Sequence, residues 1–240
     1  MSGKTAVISQ PRFLPAANYF HRMMLADVFV ILDTVQYTPR DWENRNRILG
    51  PQGPQWLTVP VVHVSRTQRI LETRIDNAQD WRPKHLRMLE TAYGKAPHYA
   101  RTLRLLEDLY GRAWDRLLDL DRHFIDAACR ELGIRCEFVL ASDLGGEGKG
   151  QALLLSLCRA VGADTYLSGS LGRDYLHAED WAAAGIRLRY HDYEPAAHPK
   201  LAAGFTPWMS IVDMMMNCGP ATREVLAQNQ PAPRDAAEAG

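Results

Sequence analysis

The sequence predicts an α/β fold, a mostly parallel sheet with flanking helices and a helical insert around residues 81–134. Three observations carry this. Two short, β-branched apolar runs, TAVIS at 5–9 and VFVIL at 28–32, enclose one amphipathic segment, which is the spacing of a β-α-β unit. Between 81 and 132 the apolar positions switch to three- and four-residue spacing, as on helices that bury one face. After 136, short apolar runs again alternate with helical segments.

Residues 5–9 form a buried strand, and the QPRFLP segment at 10–15 follows it. Its two prolines exclude a helix interior or a central strand, so it is a stiff loop. The helix after it starts near Asn18, a residue type suited to capping, and groups Tyr19, Phe20, Met23 and Met24 on one face. The strand at 28–32 ends at Asp33. In open parallel sheets ligands sit at the carboxyl ends of the strands, which places Gln10 and Asp33 at such an edge.

The segment from Gln36 to Ile48 combines Gln36, Tyr37, Arg40, Trp42, Asn44, Arg45, Asn46 and Arg47 without an obvious apolar face. Arginine holds carboxylates and phosphates through paired hydrogen bonds, and asparagine offers both donor and acceptor. The segment reads either as a ligand-lining stretch or as a solvated loop in which Asp41 and Glu43 pair with the arginines. Residues 56–63 form a strand that Pro60 places at an edge, and 70–75 pair with it.

Gly94 and Pro97 divide the helical stretch, and Gly133 ends it. His85 within it is a titratable group suited to proton transfer near neutral pH, or a surface residue. Residues 136–140 form a strand, and the glycines at 145–150 precede a helix at 153–161. That loop reads as solvated or anion-binding, and it lacks the Lys-Ser/Thr of a phosphate-binding loop. Residues 164–168 form a strand that ends at Ser168 and is followed by Gly169, Ser170, Arg173 and Tyr175, hydroxyls, a glycine and a cation that suit close approach to a ligand. A helix near 178–184 and a strand at 186–190 follow. Thr206 and Pro207 open a last helix in which Asp213 stands among Ile211, Val212 and three methionines and needs a partner. Residues 1–228 form one domain and 229–240 a flexible tail.

The 240 residues are 46% hydrophobic and 23% charged, which argues against disorder. Lysine plus arginine and aspartate plus glutamate are both 28, so no basic excess points to nucleic acid. No run approaches a membrane span, and the N-terminal apolar run is too short for a signal peptide; the expected location is the cytoplasm. Cys129, Cys136, Cys158 and Cys218 form no CxxC pair and are expected to be reduced. No His/Cys/carboxylate group has metal-ligand spacing.

Several segments together resemble the WbqC-like family of bacterial proteins: QPRFLP with NYF, ADVFVILDTVQYTPRDWENRNRI, WLTVPV, WRPKH with AYGKAP, GADTYLSGSLGRDYL and FTPWMSIVDMMMNCG. The chain departs from the expected pattern at Ala16-Ala17-Asn18 and at His198-Pro199-Lys200. The resemblance implies a biosynthetic amide-forming transferase or ligase that attaches an amino acid or related acyl group to an amine such as an amino sugar. The alternatives are a nucleotide-sugar-type group transferase and a small-molecule-binding protein of a biosynthetic pathway. By residue type, His85 or Asp33 would be the catalytic base. Arg40, Arg45, Arg47 and Arg173 would hold anionic groups. Gln10, Gln36, Asn44, Asn46 and Ser168 would orient the substrate, with Tyr37, Trp42, Gly169, Ser170, Tyr175 and Asp213 lining the same site. ATP with magnesium is a possible cofactor, small molecules are the expected substrates, and an acyl carrier or biosynthetic protein is a possible partner, with no nucleic acid and no membrane span.

Overall fold

The computed structural model describes residues 3–62, 65–199 and 206–236. Strand β1 (Thr5–Ser9) leads through helix α1 (Ala17–Met24) to β2 (Val28–Ile31). A hairpin of β3 (Arg45–Gly50) and β4 (Gly53–Thr58) follows, then the short antiparallel pair β5 (Val61–Val62) and β6 (Arg74–Ile75). His63 of the expected strand at 56–63 lies outside the described residues. Helices α2 (Trp81–Tyr93), α3 (Tyr99–Gly111) and α4 (Leu117–Glu131) make up the expected helical stretch. The chain returns to the sheet as β7 (Glu137–Leu140), followed by α5 (Ala141–Leu144), α6 (Gln151–Ala160), β8 (Thr165–Gly169), α7 (Ala178–Ala183) and β9 (Arg187–His191). Helices α8 (Ile211–Cys218) and α9 (Thr222–Ala227) precede a last strand, β10 (Arg234–Asp235).

The main sheet has the order β10-β9-β8-β1-β2-β7, and only β10 runs antiparallel to its neighbour. Alternation along the strands separates two cores. Val7, Phe29, Ile31 and Leu167 face α1 to α4, α8 and α9; Ala6, Ile8, Val28, Val30 and Tyr166 face α5, α6 and α7. A strand buried on both faces cannot alternate apolar with polar, which is why 5–9 and 28–31 read as continuous apolar runs. Trp181 of α7 is fully buried and stacks on Tyr166 with ring centroids 4.6 Å apart. The α2–α4 helices belong to the first of these cores and share it with α1 and β2.

Two cap assignments differ from expectation. Ala16 precedes α1, and Asn18 lies inside that helix. Ser210 caps α8, its hydroxyl accepting from the Val212 amide at 3.2 Å, so Thr206 and Pro207 stand ahead of the helix rather than at its start. Within residues 229–240, expected as a tail, Arg234 and Asp235 pair with Tyr190 and Arg189 of β9, and 237–240 lie outside the described residues.

Candidate functional site

The chain runs from β1 outward to β2 on one side and from β8 outward to β9 on the other. Neighbouring strands whose connections diverge leave a crevice beyond their carboxyl ends, the usual ligand position in doubly wound sheets. Here Ser9 and Gln10 leave β1, while Ser168, Gly169 and Ser170 leave β8. Between them lies a cavity of about 370 Å³. Its walls carry Arg12, Asn18, Arg22, Tyr175, His191, Tyr193 and Trp208 as well as those loop residues. A smaller hollow beside His198 and Asp213 measures about 30 Å³.

Two backbone devices shape the crevice. Leu14 adopts φ +43°, a conformation that costs a non-glycine residue energy. Asn46 holds it there: the side-chain amide, buried in the hairpin, donates to the Phe13 carbonyl at 3.1 Å and the Leu14 carbonyl at 2.9 Å. The Phe13 amide also donates to the Trp42 carbonyl at 3.0 Å. On the other side, the 3-10 turn Ser170–Asp174 folds back so closely that a side chain at Gly172 would overlap the Ser168 hydroxyl. Arg173 clamps this turn by pairing with Asp192 through two bonds of 2.7 and 2.8 Å.

Arg22 decides the electrostatics. It is 9% exposed, and its guanidinium donates a long hydrogen bond of 3.5 Å to the Ser9 hydroxyl. Among the described residues no carboxylate forms an ion pair with Arg22 or Arg12. Burial, and then the charge of Arg12, lowers the Arg22 proton affinity. A buried guanidinium without a counter-charge is costly, and an anionic ligand removes that cost. The hydroxyls of Ser9, Ser168 and Ser170 add neutral donors around it.

The crevice gathers Gln10, Ser168, Gly169, Ser170 and Tyr175 from the residues expected by sequence. It does not gather the others. Asp33 accepts from the Ser142 amide at 3.0 Å and hydroxyl at 2.6 Å, joining the end of β2 to α5. Asp213 accepts from Tyr93 at 2.9 Å and contacts His198 Nε2 at 3.1 Å. Tyr37 is buried, and Gln36 is exposed and bridges to Arg69. Arg40 is an exposed turn residue with φ +65°. The segment at 45–50 alternates instead of lining one cleft. Asn44 and Asn46 point inward, Asn44 donating to the Val59 carbonyl at 2.9 Å. Arg45 and Arg47 turn outward over the Trp56 ring at 4.2 and 5.7 Å, with Trp42 and Trp56 centroids 5.4 Å apart.

His85 sits in the core at 3% exposure, between Phe13, Trp81 and Tyr110. Its Nε2 lies 3.0 Å from the Thr58 amide and its Nδ1 3.2 Å from the Tyr110 hydroxyl. Burial pushes its pKa down from 6.5 to about 4. The neutral ring therefore supports the fold fully above pH 6.5, and that support is lost as pH falls toward 4. This contribution is of order 3 kcal/mol. A His85→Gln variant is expected to show a shallower fall of melting temperature between pH 6.5 and 4 than the parent.

Sequence reading also missed a buried acidic pair. Glu43 and Asp121 are 2% and 0% exposed, and among the described residues Glu43 Oε2 and both Asp121 oxygens have no hydrogen-bond partner. Burial raises both pKa values, Glu43 to about 7, and each is raised further by a neighbouring carboxylate. Protonated carboxyls stabilise this fold, and the benefit disappears as pH rises through the folded pKa. An Asp121→Asn protein is expected to melt higher than the parent at pH 8, with a gain of about 1–3 kcal/mol that shrinks toward pH 5.

Arg12, Arg22, Asn18, His191, Tyr193 and Trp208 were not legible as a group, because only the return of β8 beside β1 brings them together. One local signal existed for Arg22: it stands three residues after Tyr19, on the face of α1 that also carries Met23 and is buried.

The fold and crevice define a doubly wound α/β protein with an arginine-lined crevice at its topological switch point. The model of the WbqC-like protein family matches residues 10–225, and the chain belongs to that family. It is similar to "Uncharacterized protein Rv1507c" of Mycobacterium tuberculosis (strain ATCC 25618 / H37Rv), with 37% identity over 220 residues, 90% of this chain and 94% of that protein. No solved structure matches it. Among the described residues no helix is long and apolar enough to cross a membrane.

Proposed function

We propose that this protein is a biosynthetic amide-forming transferase or ligase, and that the phosphate end of an activated acyl group occupies the crevice between β1 and β8. The observation that carries the reading is the buried, carboxylate-free Arg22 beside Arg12 at that switch point. A carboxylate does not react with an amine until its oxygen is made a leaving group. Adenylation does this: the acyl carboxylate attacks the α-phosphorus of ATP and pyrophosphate departs. The amine then forms its bond to the acyl carbon, and AMP leaves with the carbon–oxygen electron pair. Both steps move negative charge onto phosphate oxygens, which fixed guanidinium groups stabilise. A donor activated elsewhere, such as an acyl phosphate, would use the same arginines.

A second reading, transfer from a nucleotide-sugar, is favoured by the same doubly wound strand order and arginine pair. Phosphorus NMR separates the two. The protein is incubated with magnesium and ATP plus pooled amino acids and amino sugars, and in parallel with nucleotide-sugars. AMP and pyrophosphate are the expected products. ADP and phosphate would replace the adenylate by an acyl phosphate. Nucleoside diphosphate released from the nucleotide-sugars, with ATP untouched, would overturn the ligase reading. A ligand that raises the melting temperature without any turnover would assign a binding protein instead.

A further inference from the structure

We propose that His21 and His191 form a two-imidazole proton relay that serves as the crevice's base, with His191 in the wall and His21 behind it. The proposal deepens the amide-forming reading and rests on it for the identity of the proton donor, an amine.

The geometry is a direct bond between rings. His21 Nδ1 lies 2.7 Å from His191 Nε2, the ring centroids are 5.0 Å apart, and the two side chains are 5% and 4% exposed. His191 ends β9, registers with Gly169 of β8 and lines the cavity. His21 comes from α1, one residue before Arg22. Two histidines at this separation share one hydrogen, so their tautomers are locked together. When His191 Nε2 donates, His191 Nδ1 is bare and can accept. A proton arriving there drives the shared hydrogen onto His21, and the positive charge passes to the ring behind the wall.

The groups that face the pair set when this happens. They are Arg22 from α1, with Arg12 beyond it, Asp192 in its pair with Arg173, and the Tyr193 ring 5.5 Å from His21 and 5.9 Å from His191. Burial, then His21 and Arg22, push the His191 pKa down to about 3, and burial lowers His21 as well. Without an anion the pair is therefore neutral near pH 7. An anion on Arg22 cancels the repulsive charge and raises the pair's proton affinity, so the base is armed when the donor is bound. In the proposed reaction the amine nitrogen bonds to the acyl carbon, the phosphate leaves with the carbon–oxygen electron pair, and the nitrogen's proton passes to His191 and on to His21.

The test is a nitrogen-15 histidine NMR titration from pH 8 down to about pH 2.5, as far as the fold persists, with and without inorganic pyrophosphate, on the parent, His21→Asn and Arg22→Gln proteins. The expected result is one proton taken up by both rings together, with a midpoint that pyrophosphate moves up by about one pH unit or more. Arg22→Gln should raise the midpoint without ligand, and His21→Asn should change the His191 tautomer. Independent titration of the two rings, or an unchanged midpoint when pyrophosphate demonstrably raises the melting temperature, would overturn the relay. Absence of any pyrophosphate effect on melting would count against the crevice reading. The Arg22→Gln and His21→Asn spectra would still decide the relay.

Discussion

An Arg22→Gln protein is expected to fold at least as well as the parent and to bind pyrophosphate about 10–100-fold more weakly, the worth of one charge-assisted hydrogen bond. The two halves of this expectation belong together. A structural arginine has a carboxylate partner, and its removal strands that partner. Among the described residues Arg22 strands no carboxylate, and its side-chain hydrogen bond is a long one to the Ser9 hydroxyl. Removing an uncompensated buried cation relieves desolvation, so the melting temperature should hold or rise while affinity falls. Stability given up at a site to hold charge ready for a ligand is a common bargain. Calorimetry of pyrophosphate binding beside a thermal melt checks both halves. A loss of folding with no change in affinity would make Arg22 a structural residue. The outward-facing Arg45 offers the contrast: Arg45→Ala is expected to leave pyrophosphate affinity within about twofold, because the residue stacks on Trp56 away from the crevice.

Asn46→Leu is expected to cost about 2–4 kcal/mol of stability and to disable the crevice with it. Leucine keeps the branching and heavy-atom count of asparagine but is bulkier, so some overpacking adds to the cost. The loss is of two donors to adjacent buried carbonyls, Phe13 and Leu14. Leu14 is held at positive φ, and without those bonds the loop relaxes toward negative φ. Arg12 precedes that loop position by two residues and would move with it. Denaturant unfolding and pyrophosphate affinity should therefore fall together, unlike the result at Arg22. A variant that lost stability alone would show that the loop keeps its shape without Asn46.

The contrast between these two residues shows what the sequence made readable. The β1-α1-β2 unit is local, so its strands and helix stood out from pattern alone, as did α2, α3 and α4. Residues 45–50 were harder: Arg45, Asn46, Arg47 and Ile48 alternate outward and inward, yet the inward partner is a polar Asn whose burial depends on carbonyls from residues 13 and 14. Polarity suggested ligand contact where the structure has a brace. The crevice itself was half visible. Gln10 and the residues at 168–170 and 175 flank strand ends and could be marked from position. Arg22 and His191 could not, because a sheet in which β8 returns to the far side of β1 is a long-range fact that no local window contains. His85 and Asp33 were marked by residue type, and type does not report burial or partners.

The antiparallel β10 has a consequence for association between molecules. Among the described residues it is the only element pairing with the outer side of β9, where Tyr190 and Arg189 meet Arg234 and Asp235 and where Arg189 reaches the Pro233 carbonyl. A chain cut after residue 228 would retain the crevice residues but leave β9 as an open strand edge. Unpaired amides and carbonyls in a row are a template for a strand from another molecule. Shortened forms should therefore grow sticky rather than unfold, with sedimentation shifting to larger species while the monomer's circular dichroism stays close to that of the full chain. The last turn of sequence acts as a selvedge, the bound margin that keeps the weave from joining its neighbour.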